Sequence, residues 1–280
     1  MTPSSVPGLA ADGRPGPLEA MRGTLLGAGW FLTVFILARW AAPGLPVSPA
    51  VGLMATTVLL VVAILPIEYF GGALNLPTLR GWLILGVVGV AALGSSVFLT
   101  NAQSPGAASL ALLLGAVIVG VLIGRFALID RDLVLLIAVL YIIIDAYSVF
   151  FGPTQVLLQR GGALVSTLTI RFPILGAERI APLVGATDFL VWAACAQAAY
   201  RFQFPYRRAH AALAFGLLGS AVVGIAAGRA VPALPLMMAA YLFVNARQFN
   251  WRKPSLWALG AVLLAIVLGV GFVARRALAP

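Results

Sequence analysis

Residues 107–126 read AASLALLLGAVIVGVLIGRF, an apolar run whose only charged residue is Arg125, next to its end. About 20 apolar residues in a helix are what is needed to cross the hydrocarbon core of a bilayer. Comparable runs recur along the chain, and we count nine candidate spans, at about residues 24–41, 49–70, 81–100, 107–126, 132–151, 181–200, 209–227, 232–247 and 255–274. The sequence therefore predicts an all-α polytopic membrane protein.

The composition of the whole chain supports this fold class. The 280 residues are 62% hydrophobic and 9% charged, whereas soluble domains carry roughly 25% charged residues. This excludes a soluble globular protein, and the single cysteine, Cys195, excludes an internal disulfide or a multi-cysteine metal site. The net charge of +10 would suggest a nucleic-acid partner in a soluble protein. Here the basic residues lie mostly in short gaps between apolar runs, so we expect no nucleic-acid partner.

The basic residues also predict an orientation and a division of the chain. With nine spans and the N-terminus inside, the inner segments hold 11 Arg and Lys residues and the outer ones seven, which favours a cytoplasmic N-terminus. Short loops and few lysines suit a prokaryotic plasma membrane. We expect a disordered tail at 1–22, a scaffold of transmembrane helices at 23–128, and a C-terminal half at 129–280 that carries the candidate functional residues.

Among the eight acidic residues, only Asp145 and Asp188 are predicted to lie well inside apolar helices. An ionisable group at that depth costs about 2.5–3.5 kcal/mol on insertion scales, so it indicates a function. Asp145 lies six residues before the predicted end of the fifth span, and Asp188 seven residues after the start of the sixth. At 1.5 Å per residue both lie roughly 10 Å from the same membrane face. Because the two helices are consecutive and antiparallel, their carboxyl groups can meet.

Two carboxyl groups at close range cannot both ionise cheaply, so such a pair holds one proton near neutral pH. One aspartate can then activate a water molecule while the other polarises a peptide carbonyl. The two acids alone leave other readings open, namely a proton relay in a transporter or a structural pair satisfied by Tyr, Asn or Arg. Tyr141, four residues before Asp145, shares its helix face and either hydrogen-bonds to the pair or simply packs.

Two further features are predicted on the same membrane face. Pro232-Ala233-Leu234-Pro235 opens the eighth span, where the two prolines prevent a regular helix and leave backbone groups free. Residues 163–175, ALVSTLTIRFPIL, are rich in β-branched side chains with partial alternation. They predict a short strand, or alternatively an irregular interfacial loop. A strand at Val165–Ile170, which includes Thr169, would offer an edge to which an unwound substrate could add.

In their order and spacing these motifs resemble those of presenilins and signal peptide peptidases. Asp145-Ala-Tyr147 resembles the first aspartate motif of that family, Gly185-Ala-Thr-Asp188 stands where the family has Gly-x-Gly-Asp, and Pro232-Ala233-Leu234 reproduces its Pro-Ala-Leu motif. Ile170-Arg-Phe-Pro173 is similar to the segment before the second motif, and the resemblance covers about residues 130–245.

The resemblance implies a presenilin-like helix bundle with a short β segment between the two aspartate helices. It also implies an intramembrane aspartyl protease that cleaves transmembrane segments of other membrane proteins, or signal peptides, with no metal or organic cofactor. Asp145 and Asp188 would be the catalytic pair. The residues expected to contact substrate are Tyr141, Thr169, Gly185, Thr187, Pro232, Ala233 and Leu234.

The chain departs from the family pattern at two positions near the aspartates. Ile144 stands where the family has Tyr, and Thr187 where it has the second Gly. Four predicted spans precede Asp145, where the family has five, and one span follows the Pro-Ala-Leu span, where the family has none. These departures bear on activity more than on fold. A catalytically silent homologue that binds membrane proteins is therefore an alternative, beside the proton-coupled transporter or channel.

Overall fold

The computed structural model describes residues 14–150, 167–228 and 231–251, together with residues 257, 260, 261 and 264. Its helices are α1 (Pro17–Ala41), α2 (Pro49–Gly71), α3 (Leu79–Asn101), α4 (Pro105–Leu122), α5 (Arg131–Phe150), α6 (Ala186–Arg201), α7 (Tyr206–Ala227) and α8 (Leu234–Asn245). Two antiparallel strands, β1 (Thr169–Pro173) and β2 (Ile180–Gly185), lie between α5 and α6.

Six of these helices, α1 to α5 and α7, are long and apolar enough to cross a membrane. The chain is therefore a multi-pass integral membrane protein with an all-α bundle and one small sheet. Helices α6 and α8 have 16 and 12 residues, so at 1.5 Å per residue they fall short of the roughly 30 Å hydrocarbon core. The number of nine spans is not confirmed, and most of the predicted ninth span, 255–274, lies outside the described residues.

Two helix starts differ from the sequence prediction. Helix α1 begins at Pro17, so the predicted tail at 1–22 is wrong for its last six residues, while residues 1–13 lie outside the described part. Proline is favoured at the first helical position, and the Glu19 carboxylate accepts the Gly16 N–H at 3.3 Å, which caps this start. Helix α6 begins at Ala186 rather than near residue 181, because residues 180–185 form β2.

Helices α1 and α2 pack closely where Pro66 interrupts the hydrogen bonding of α2. Proline has no N–H, so the Val62 carbonyl has no donor from that position of its own helix. The indole Nε1–H of Trp30 on α1 donates to this carbonyl at 3.2 Å. A Cβ atom on Gly27 would lie 2.9 Å from the Ile67 backbone nitrogen, so only glycine permits this approach. The interface therefore satisfies a polar group that lipid could not.

Helices α4 and α6 form the centre of the bundle and bring α6 close to its neighbours. Gly120 and Gly124 on α4 lie against the Leu190 and Ala194 carbonyls of α6, where added Cβ atoms would be only 2.2 and 2.6 Å away. Small residues at this spacing let two membrane helices approach at backbone distance. Most side chains of α6 from Phe189 to Ala199 are buried. The helix that carries Asp188 is therefore held rigidly by its surroundings.

Candidate active site

Asp145 lies on α5, five residues before the last residue of the helix, and is partly buried. Its Oδ2 atom accepts a hydrogen bond of 3.1 Å from the backbone N–H of Leu234. Leu234 is the first residue of α8, where an N–H group has no acceptor within its own helix. The start of a helix also carries partial positive charge, which favours a carboxylate. The start of α8 therefore holds the Asp145 side chain in place.

Asp188 is the third residue of α6 and is 9% exposed. The backbone N–H of Gly185, the N-cap residue of the same helix, lies close enough to stabilise the charge of the Asp188 carboxyl group. From the sequence, Asp188 was expected more than one turn further into its helix, and the difference follows from the late start of α6.

The two carboxyl groups lie close enough for the Asp145 charge to act electrostatically on Asp188. Each lies at the start of a helix, where Asp145 accepts the Leu234 N–H of α8 and the Gly185 N–H stabilises the charge of Asp188. Like charges at short range favour a state in which the pair holds one proton. Such a pair can supply both an acid and a base, which acid–base hydrolysis requires.

Three more of the expected site residues lie beside Asp188. Gly185 is opposite Thr169 in the register of the sheet. A Cβ atom on Gly185 would lie 3.3 Å from Thr187 Oγ1 and 3.4 Å from Asp188 Oδ2, so these side chains surround the glycine. The Thr187 side chain is exposed. The structure thus gathers the sheet end and the start of α6 around one carboxyl group.

The remaining residues expected to contact substrate are Tyr141, Pro232 and Ala233. Tyr141 lies near Cys195, about two turns beyond Asp188 on α6, and it forms no hydrogen bond to either carboxyl group within the described residues. Pro232 is buried, and Ala233 packs against the core while its carbonyl accepts the Met237 N–H at 3.1 Å. These two residues precede Leu234 and determine where its N–H points.

The strand predicted around Thr169 is present, but its outer edge is occupied. Of the run Val165–Ile170, residues 165 and 166 lie outside the described part, and β1 begins at Thr169. One edge of β1 pairs with β2. On the other edge the Ser109 hydroxyl of α4 bonds both the N–H and the carbonyl of Arg171, at 3.0 Å each. At Arg171, β1 therefore has no open edge for a further strand. The second outer edge of the hairpin is the side of β2 that faces away from β1.

Sequence reasoning missed one buried acid. Glu68 on α2 is fully buried, and both of its carboxyl oxygens lack a hydrogen-bond partner within the described residues. It interacts electrostatically with Tyr206 of α7. Helical spacing was the available signal, because Ile64 and Gly71, four residues before and three after Glu68, are buried on the same helix face. Asp145 and Asp188 are thus not the only acids inside the bundle.

Within the described ranges, no group of three or more His, Cys, Asp and Glu side chains is placed to hold a metal ion. Comparisons of the chain with protein-family models, with curated proteins and with solved structures give no match. The likeness to presenilins and signal peptide peptidases therefore rests on the three motifs quoted above.

Proposed function

We propose that the protein is an intramembrane aspartyl protease of the presenilin and signal peptide peptidase type. It would hydrolyse peptide bonds within transmembrane segments of other membrane proteins, or within signal peptides. The observation that carries this proposal is the pair of carboxyl groups of Asp145 and Asp188, which interact electrostatically, with Asp145 held by the Leu234 N–H at the start of α8. Fixed carboxyl groups of this kind are preorganised for acid–base chemistry.

In the proposed reaction the aspartate pair starts with one proton. The ionised carboxylate takes a proton from a water molecule, whose oxygen attacks the carbonyl carbon of the scissile bond. The protonated carboxyl group donates to the carbonyl oxygen, giving a tetrahedral intermediate. The carboxyl group that now holds the proton donates it to the leaving nitrogen, while the other carboxylate takes a proton from a hydroxyl group of the intermediate. The C–N bond breaks, the products are a carboxylic acid and an amine, and the pair again holds one proton. Because the two carboxyl groups titrate as a coupled pair, the roles of acid and base are assigned to the pair and not to Asp145 or Asp188 individually.

A substrate helix must unwind before its peptide bond can react, and its exposed N–H and carbonyl groups then need partners at membrane depth. We place the unwound segment along the outer edge of β2, in the manner of an added strand. Two observations support this placement. The outer edge of β1 is occupied by Ser109 at Arg171, and β2 leads directly through Gly185 to Asp188.

The protein would act in a prokaryotic plasma membrane with its N-terminus in the cytoplasm. The arginine-rich helix ends support this orientation, since Arg and Lys are retained on the cytoplasmic side. Cysteines introduced singly at exposed positions test it, because the native Cys195 is buried. An impermeant thiol reagent should label Glu178→Cys in intact cells and Arg208→Cys only after permeabilisation. The reverse pattern would contradict the orientation.

The decisive experiment measures cleavage of a transmembrane peptide by the purified protein in liposomes. Asp145→Asn and Asp188→Asn should each abolish cleavage, because an amide can neither take nor give the required proton. Asp130→Asn is the matched control. This substitution removes the carboxylate that directly precedes α5, at the end of the helix opposite Asp145. Asp130 Oδ1 accepts the Leu133 N–H at 2.7 Å, and the fold should be retained because asparagine caps a helix equally well.

We expect the control to cleave at the wild-type rate. Unchanged cleavage in either active-site variant would remove that aspartate from the mechanism. If the wild-type protein cleaves no transmembrane peptide in this assay, the proposed activity is wrong and the silent homologue becomes the better description.

Glu68 supports a second candidate, a proton-coupled transporter or channel. It adds an unpartnered carboxyl group inside the bundle to the aspartate pair. A relay predicts proton movement in liposomes that carry a pH gradient, detected with an enclosed pH-sensitive dye. Proton flux that is lost in both Glu68→Gln and Asp188→Asn would favour transport. The protease proposal predicts that Glu68→Gln leaves cleavage unchanged.

A further inference from the structure

Positive charge is concentrated at one end of the bundle, opposite the aspartate pair. Of the 12 arginines within the described residues, only Arg39, Arg171 and Arg179 lie at the aspartate end. The other nine lie at the end where α1, α3, α5 and α7 begin. Arginines at the level of the lipid headgroups attract anionic lipid. This asymmetry alone gives only a diffuse attraction, so a binding site needs a defined cavity.

Such a cavity lies at that end, between the C-terminus of α6 and the chain after α4. Its volume is ≈ 320 Å³, at the lower end of the roughly 300–1,000 Å³ typical of small-molecule sites. Its lining includes three arginines, Arg14, Arg125 and Arg201, and the side-chain amides of Asn75 and Gln203. The described lining contains no acidic residue. A cavity with three cationic groups and only neutral partners favours an anion.

Two irregular backbone segments shape this cavity. Arg125 lies in a π-helical turn, Ile123–Ala127, which follows α4. Gln203, the second residue after the end of α6, has a φ of +60°, in the left-handed region that few residues other than glycine adopt. Single π-helical turns are frequent at functional sites. A non-glycine residue at positive φ is held in that conformation by its surroundings. Both irregularities place a lining side chain at the cavity.

The guanidinium groups of two lining arginines keep donors available. The Arg125 guanidinium group lies over the Trp82 ring, 5.7 Å from its centroid, and makes no hydrogen bond within the described residues. Arg201 uses its Nη1 atom for the carbonyls of Arg125 and Leu128, at 2.8 and 3.1 Å. Its Nε and Nη2 groups have no acceptor in the described part of the chain. Each arginine can therefore still donate to an anion with fixed geometry.

The neutral side of the cavity is fixed as well. The buried Gln197 amide nitrogen donates to the Gly72 carbonyl at 2.6 Å and to the Leu74 carbonyl at 3.2 Å. These bonds tie the α2–α3 connection, and with it Asn75, to α6. The cavity is thus preorganised on both sides, which lowers the cost of binding.

We propose that this cavity binds the phosphate group of an anionic ligand, with Arg125 and Arg201 as its principal donors. Guanidinium groups recognise phosphate by paired, charge-assisted hydrogen bonds. The place of the cavity, among the arginines at the helix ends, suits the headgroup of an anionic phospholipid. A soluble phosphate compound has the same chemistry, and the experiment separates the two sources.

The test uses the full-length protein, purified in neutral detergent and stripped of lipid. Its unfolding temperature is measured during titration with phosphatidylglycerol, phosphatidylcholine and inorganic phosphate. We expect phosphatidylglycerol to raise the unfolding temperature and phosphatidylcholine, which has no net charge, to leave it unchanged. Arg125→Gln should weaken the phosphatidylglycerol effect about tenfold in midpoint concentration, as the loss of one charged hydrogen bond predicts.

Arg208→Gln is the matched control, because it removes one exposed arginine from the same end of the bundle without touching the cavity. Asn75→Phe fills the cavity while all charges stay in place, and it should weaken binding even if Arg125→Gln does not fold. Stabilisation by inorganic phosphate alone, lost in the cavity variants, would assign the site to a soluble phosphate compound. Equal effects of Arg208→Gln and Arg125→Gln, or wild-type binding in Asn75→Phe, would overturn the proposal.

Discussion

Leu234 and Asp145 are 89 residues apart in the chain, yet the Leu234 N–H donates to Asp145 Oδ2 at 3.1 Å. The bond joins the start of α8 to α5. It uses a backbone group that the prolines around Leu234 leave outside regular helix hydrogen bonding. The Pro-Ala-Leu segment therefore has a physical task at the candidate site, which is to present a donor to the carboxyl group.

The bond to Leu234 predicts different stabilities for two substitutions of Asp145. Asparagine keeps an oxygen that can accept the Leu234 N–H and removes the repulsion with Asp188, so Asp145→Asn should be at least as stable as the wild type. Asp145→Ala leaves the N–H without its acceptor and should lower the free energy of unfolding by about 1–3 kcal/mol. Thermal unfolding of the purified proteins measures both. Equal destabilisation by the two substitutions would mean that the bond has no energetic role.

The six long apolar helices could be predicted from the sequence, because apolar runs of about 20 residues form helices in lipid. The sheet and the exact site could not. Strand β2, IAPLVG, contains a proline and lacks alternation, so its pairing with β1 is decided by tertiary contacts. The bond from Leu234 to Asp145 is likewise invisible to periodicity, since it joins a backbone group to a distant side chain. Glu68 was missed because it lies near a helix end, although its face is buried.

A second prediction concerns the close contact of α4 and α6. In Gly120→Ala the new methyl group would lie 2.2 Å from the Leu190 carbonyl oxygen, so the two helices must separate. We expect a loss of about 1–3 kcal/mol in the free energy of unfolding, as for other overpacked cores. Because α6 carries Asp188, cleavage of a transmembrane peptide should fall as well.

Gly94→Ala on α3 is the control for that substitution. A Cβ atom there meets nothing within 4 Å, and alanine favours a helix over glycine by roughly 0.5–1 kcal/mol. Both stability and cleavage should be retained in this variant. A Gly120→Ala protein that unfolds and cleaves like Gly94→Ala would show that the α4–α6 contact is not tight.

A third prediction tests whether the substrate adds to β2 as a strand. In a strand, alternate N–H groups point to the neighbouring strand and away from it. N-methylation of single amides in a substrate peptide, scanned along the residues next to the cleavage site, should therefore impair cleavage at every second position. The rate of cleavage at each position is the measurement. A uniform effect at all positions, or none, would exclude strand addition.

The last prediction concerns Thr187, which stands where the Gly-x-Gly-Asp motif has its second glycine. Its exposed side chain lies beside Gly185, close to Asp188, and in the proposed reaction a substrate backbone would have to approach this carboxyl group. Thr187→Gly removes this bulk, and we expect it to raise kcat/KM for a transmembrane peptide by about three- to tenfold, since small changes in position alter rates strongly. Thr187→Ala removes the hydroxyl but keeps Cβ, so its gain in kcat/KM should be smaller.

Glycine in the first turn of α6 also lowers helix stability by about 0.5–1 kcal/mol, so the unfolding temperature of Thr187→Gly should fall while its rate of cleavage rises. A Thr187→Gly protein that loses stability without gaining activity would show that the threonine does not limit access to the aspartates.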